Sequence, residues 1–163
     1  MIVDSSVLIH LSRIGRLSLL KDFGEIKITE EVYRETVEEA NGKEGVGSIR
    51  EACNSWISII KLKSKKKIKE LAGHEGIENA DASLILLAEE KREILLSNDY
   101  YLIKVGRSRK IECWWLTTLL LRAVEEKKIK KEEAKQMLLN LVETGMRLSI
   151  EVYTAIVKKI DET

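Results

Sequence analysis

The sequence predicts an α/β domain: a central, mostly parallel sheet of four to five strands, followed by a helical C-terminal extension. Three observations lead there. Short strand-like segments, apolar at residues 1–3 and 94–96 and alternating at 25–28, are interspersed with segments whose apolar residues recur at helical spacing, and strands joined through helices run parallel. No proline, Ser/Gly-rich linker or internal repeat breaks the 163 residues, so one domain spanning 1–163 is expected. Beyond residue 116 the strand signals stop, dividing an α/β core (1–116) from a helical extension (117–163).

Each element has its own signal. The run at 1–3 is cut off by Asp4-Ser5-Ser6, after which Val7, Leu8, Ile9 and Leu11 mark a helix. A second helix covers 17–23, and Gly24 separates it from the strand at 25–28. Thr29 caps a helix beginning at Glu30, with Val32, Tyr33, Thr36, Val37 and Ala40 on one stripe. Gly42, Gly45 and Gly47 mark a break before a helix near 48–54 and a Trp/Ile-rich strand at 56–62. A helix at 65–72 ends in Gly73, and another runs from about Glu78 to Arg92. The strand at 94–96, a short helix after Asp99 and a strand at 111–115 complete the core. Three further helical patterns follow, with turns near 128–130 and 144–145.

Composition narrows the function classes. The 28 basic and 27 acidic residues leave a net charge of +1, which excludes a histone-like polycation or an acidic tail protein. The chain is 44% apolar and 34% charged, with 22 Glu against 5 Asp and a single Gln, a bias seen in hyperthermophilic proteins. Two cysteines, Cys53 and Cys113, make neither a disulfide framework nor a four-cysteine zinc site and read as small apolar residues. No basic leader and no uncharged stretch of the required ~20 residues is present, so a soluble, cytoplasmic protein is expected. P-loop and dinucleotide fingerprints are missing, as are a G-x-S-x-G elbow and a Cys–His arrangement. A phosphorelay receiver would need a second acid beside the first strand and a lysine ending the last, and neither is present.

With only five aspartates, their placement is informative. Asp4 follows the first strand and Asp99 follows the strand at 94–96, so both belong at the carboxyl edge of the sheet, where α/β proteins bind ligands. Asp81 shares a helical stripe with Leu84, Ile85 and Ala88, and Glu78 lies one turn earlier. A carboxylate on an apolar stripe is costly unless paired or metal-bound. Taken singly, Asp4 and Asp99 read equally well as helix N-caps, and Asp81 as a complement to its helix dipole. Capping explains poorly why three of five aspartates converge on one edge with no Lys or Arg beside Asp4 or Asp81. Two carboxylates ~4 Å apart repel by about 4 kcal/mol at an effective dielectric near 20, and a hard divalent cation relieves that.

The segments IVDSSVLI, ITEEVYRE, NADASLILLA and LLSND together resemble the PIN-domain nucleases, the three-layer fold of the VapC toxins, over about residues 1–115. The resemblance implies a site of Asp4, Glu35, Asp81 and Asp99, with Ser6 and Ser97 as supporting hydroxyls. It implies Mg²⁺ or Mn²⁺ held by Asp4, Asp81 and Asp99, and hydrolysis of single-stranded RNA, with Glu35 completing the cluster or orienting water. Glu35 rests on the resemblance, because Glu30, Glu31, Glu35, Glu38 and Glu39 share one helix and Glu35 lies off its apolar stripe. The tail, with Gly145-Met146-Arg147-Leu148-Ser149, is similar to a PIN-like subgroup with extra C-terminal helices. The family further implies a homodimer and, for a toxin, an antitoxin partner. Leu138, Leu141, Val142, Leu148, Ile150, Tyr153, Ile156 and Val157 exceed what two terminal helices need internally. The alternative is a non-catalytic PIN-like module for RNA binding or protein interaction.

Other residues carry weaker signals. Arg107, Arg109 and Lys110 follow Asp99 and are expected to hold nucleic acid near the acids. The run Lys61, Lys63, Lys65, Lys66, Lys67 and Lys69 reads first as a solvated face and second as a phosphate contact. His10 and His74 lack paired ligand spacing. Trp114-Trp115 read as core plus a partner contact.

Overall fold

The structure, a computed structural model, describes residues 1–163. Five parallel strands form one sheet in the order β3-β2-β1-β4-β5: β1 (Ile2–Val3), β2 (Ile26–Thr29), β3 (Ile57–Ile60), β4 (Leu95–Ser97) and β5 (Cys113–Trp115). Ile2 stands opposite Lys27 on one side and Leu95 on the other. The chain winds outward from β1 through β2 to β3, then restarts on the far side with β4 and β5. The switch point therefore lies at β1 and β4, which is where a ligand crevice opens in such sheets.

Helices flank the sheet, as buried parallel strands require. α1 (Ser5–Arg13) packs on α3 (Val46–Cys53), and α4 (Lys65–Glu75) packs on α5 (Asn79–Lys91). α2 (Glu30–Tyr33) continues directly into a π turn at Arg34–Glu38. α6 (Tyr100–Ser108) lies on β4 and β5. The tail folds as α7 (Leu116–Glu125), α8 (Lys131–Glu143) and α9 (Ile150–Glu162), with α7 packed on β5 and on both later helices. One buried cluster runs from Ile2 to Ile160, so the extension shares the core of the sheet domain. No helix is long and apolar enough to cross a membrane.

The structure departs from the sequence reading where local rules compete. Residues Leu17–Phe23 form a 3₁₀ helix, because Leu17, Leu19 and Leu20 all turn inward and the tighter pitch brings i and i+3 into line. α4 passes through Gly73 and ends at Gly76, whose φ of +68° closes the helix; a mid-helix glycine costs only about 1 kcal/mol. β4 is shifted to include Ser97, which pairs with Trp115 of β5, and to exclude Ile94; the buried Ser97 hydroxyl bonds Asp4. In the tail, Leu138, Leu141 and Ile156 are consumed internally, and Ile150 and Val152 stay exposed at 76% and 45%. The apolar excess that predicts a homodimer is thus smaller than the sequence suggests.

Candidate acidic site

Asp4 directly follows β1 and is buried, 4% exposed. It occupies the N-cap position of α1, yet its carboxylate caps nothing. Instead it accepts hydrogen bonds at Oδ2 from the Ser6 hydroxyl (2.6 Å) and the Ser97 hydroxyl (2.8 Å), with a longer one at Oδ1 from Ser5 (3.3 Å). The same two serines reach onward: Asn98 N–H donates to Ser6 Oγ at 3.0 Å and Asp99 N–H donates to Ser97 Oγ at 2.9 Å. Ser6 and Ser97 thus lock the end of β1 to the end of β4. Asp99 does cap its helix, accepting from Leu102 N–H at Oδ1 over 2.8 Å, which leaves Oδ2 free. The capping reading holds for Asp99 and fails for Asp4.

Asp81 sits half-buried in the first turn of α5, and none of the ion pairs involves its carboxylate. Burial, with the charges of Asp4, Asp99, Glu35 and Glu78 around it, pushes its pKa up to about 7. Glu35 is raised too, first by desolvation and then by Asp4, Glu39 and Glu78. Five carboxylates from four parts of the chain therefore feel one another at the carboxyl edge of the sheet. Ser83, two residues beyond Asp81, fixes this turn by donating to Thr29 Oγ1 at 2.7 Å. Thr29 in turn caps α2 through Val32 N–H at 3.2 Å.

Glu35 lies in the π turn that follows α2. Glu39 N–H bonds to Arg34 O at 2.8 Å, an i to i−5 link. The extra residue per turn re-aims the side chains that follow, a device common at functional sites. Glu78 is the N-cap residue of α5 and exposed, not the earlier turn of an apolar stripe that the spacing predicts.

These donors suit a hard divalent cation: all are carboxylate oxygens, no Lys or Arg neutralises Asp4 or Asp81, and burial together with the surrounding acids disfavours the charged form of Asp81. As placed, no three of them form a ready coordination shell. Glu35 and Asp99 are exposed, and Asp99 is tied to its helix through Oδ1 alone.

Arg107, Arg109 and Lys110 do not lie beside the acids. α6 carries them to its far end, where Arg109 pairs with Glu89 (2.7 Å) and Glu75 (3.6 Å) and lines a hollow with Ile94 and Glu112 at the amino edge of the sheet. The positive residues next to the acids are others. A cleft of about 680 Å³ is lined by Glu35 and Glu78 together with Glu31, Arg34, Lys65 and Lys69. Sequence reasoning left Lys65 and Lys69 unresolved within a lysine run and missed Arg34. An i, i+4 basic pair opening a helix that precedes the Asp81 helix is the signal that points to them.

A parallel sheet of order 3-2-1-4-5 with acids gathered at its switch point fits the PIN-like class of α/β proteins. The chain belongs to the DUF3368 family, a PIN domain, whose family model matches residues 1–162. The fold is similar to that in the crystal structure of PAE2754 from Pyrobaculum aerophilum, at 20% identity and a TM-score of 0.57, covering 74% of this chain and 86% of that one. A domain of a functionally unknown protein from Methanocaldococcus jannaschii DSM 2661 aligns at 25% identity and a TM-score of 0.49, over 71% of this chain and 89% of that one. No curated protein matches the chain. PIN domains are a nuclease-type family.

Proposed function

We propose that the protein is a metal-dependent endoribonuclease that hydrolyses phosphodiester bonds of single-stranded RNA. The observation that carries this reading is the gathering of Asp4, Glu35, Glu78, Asp81 and Asp99 at one edge with no Lys or Arg paired to Asp4 or Asp81; burial, and then these neighbouring charges, push Asp81 up to about 7. A fold does not keep such repulsion for stability; it is characteristic of a site that binds a cation. Asp4, Asp81 and Asp99 would hold Mg²⁺ or Mn²⁺, which when bound supplies an acidified water and offsets charge on the phosphate oxygens. Ser6 and Ser97 keep the Asp4 carboxylate oriented. Glu35 orients the attacking water and takes its proton as the water oxygen bonds to phosphorus, in line with the departing ester oxygen. Incubating Mn²⁺-loaded protein with labelled RNA tests this, and cleavage no faster than that of an Asp4→Asn control would refute it.

A second reading, a non-catalytic RNA-binding or protein-interaction module, is favoured by one observation: no three acids form a ready shell. Thermal melts across a Mn²⁺ titration separate the two. A working cluster gives saturable stabilisation following RT ln(1 + [L]/Kd), and a module gives none. A homodimer, and a toxin role with an antitoxin partner, are further parts of the proposal; the latter two rest on family analogy. Exposed Ile150, Val152 and Leu139 are the apolar surface available for self-association, and a monomer in sedimentation at tens of micromolar would remove the dimer.

A further inference from the structure

We propose that single-stranded RNA crosses the carboxyl edge on a track with Lys65 and Lys69 gripping phosphates at one end and Tyr100 and Tyr101 stacking bases at the other. This rests on the nuclease reading for its substrate and on separate observations for its residues. Lys65 and Lys69 lie one turn apart on α4 and line the cleft that shares Glu35 and Glu78 with the acid cluster. Neither makes an ion pair, although several carboxylates line the same cleft, whereas Lys66 between them pairs with Glu70 at 3.8 Å. Two unneutralised cations facing an acidic centre suit a polyanion that must approach that centre against repulsion.

The opposite flank carries different chemistry. Tyr100 and Tyr101 follow Asp99 directly, open α6 and are 69% and 52% exposed. Two neighbouring rings left in water support no packing, but they offer flat faces on which bases of any sequence stack. The sheet order sets the path between the flanks. The Glu35 segment follows β2 and the tyrosines follow β4, with Asp4 on β1 between them. Two strand spacings, about 10 Å, separate β2 from β4, and a few nucleotides of extended chain span that. A track in this direction brings a phosphate over Asp4 and Asp81.

The test is fluorescence anisotropy of a labelled single-stranded RNA oligonucleotide in EDTA at low salt, so that binding is read without cleavage. Lys65→Ala/Lys69→Ala is expected to weaken binding about tenfold and to flatten the slope of log K against log salt by about 1.4, at about 0.7 per phosphate contact. Tyr100→Leu/Tyr101→Leu keeps apolar bulk without the π faces; it is expected to weaken binding about fivefold or more with the slope unchanged. Duplex RNA, whose bases cannot splay onto the rings, should compete poorly. No binding by wild type, variants with unchanged affinity and slope, or equal competition by duplex would each overturn the track. The losses seen without Mn²⁺-dependent cleavage would sink the nuclease reading and leave the track standing. Cleavage at wild-type rate by both variants, with unchanged binding, would do the reverse.

Discussion

The two edges of the sheet treat acidic residues in opposite ways. At the amino edge, burial pushes Glu93 up, but Lys27 and the Met1 amino group outweigh it and hold the carboxyl below its usual range. Arg109 likewise clasps Glu89 and Glu75. At the carboxyl edge, burial is joined by other acids with no cation paired to offset it, and Asp81 rises to about 7. Matched charge marks the edge that holds the fold together. Unmatched charge marks the edge to which the proposal assigns a ligand.

The largest expected effect lies at the unmatched edge. Asp4→Asn keeps the shape of the residue held by Ser6 and Ser97 but removes its charge. RNA cleavage is expected to fall by about 100-fold or more, since even residues that only support a metal ligand are worth about 10–100-fold. A single-turnover assay checks it.

At the matched edge the loss is one of stability. Glu93→Gln removes the anion that Lys27 bonds, and hydrogen bonds to charged groups are worth about 1.5–3 kcal/mol. A loss of about 2 kcal/mol in urea unfolding, with cleavage unchanged, is expected. Because the folded pKa of Glu93 is depressed, its contribution is present above the unfolded value of 4.5 and fades as pH falls through the folded one. The wild-type and Glu93→Gln curves should therefore converge at acid pH.

Asp81 inverts that sign. Its folded pKa of about 7 lies above the unfolded 3.8, so the folded state binds more protons between those values and stability falls as pH rises through that window. The metal-free protein should be more stable near pH 5 than near pH 8, and Mg²⁺ or Mn²⁺ should abolish most of the difference. Asp81→Asn should raise metal-free stability at pH 8 by about 1 kcal/mol, a figure discounted for solvent screening of a half-exposed group, and should lose the metal response. Melting curves with and without metal decide; a less stable variant with an intact metal response would retire the shared cluster.

How far the sequence reveals this contrast depends on the residue. Asp4 and Asp99 are legible because each is a scarce aspartate at the end of an apolar run, whereas Ser6 and Ser97 come from the family resemblance. The five-strand sheet and the three tail helices are legible from apolar periodicity. Glu35 is not, because five glutamates crowd residues 30–39 and Glu35 lies exposed, off the apolar stripe of Val32, Thr36 and Val37. Lys65 and Lys69 are hidden because six lysines fall within nine residues, and only the docking of α4 on α5 decides which line the cleft. Arg109 misleads for the opposite reason: it is close to Asp99 in the chain, but nine residues of helix carry it about 13 Å away.

That displacement yields the smallest effect. Arg109 is about one-third exposed, as is Glu89, and pairs of this kind contribute about 0.2–1 kcal/mol. Arg109→Ala should cost less than about 1 kcal/mol, and the cost should shrink as salt rises, because screening weakens the pair it removes. Single-stranded RNA affinity and its salt slope should stay at wild-type values, since the guanidinium serves the amino edge. Lys65→Ala/Lys69→Ala should show the reverse pattern, with stability unchanged, since neither lysine is paired, but the salt slope flattened. Paired titrations of melting temperature and RNA anisotropy against salt measure both. If Arg109→Ala flattens the RNA slope as much as the lysine pair does, charge at both edges serves the ligand and the division between a structural and a functional edge falls.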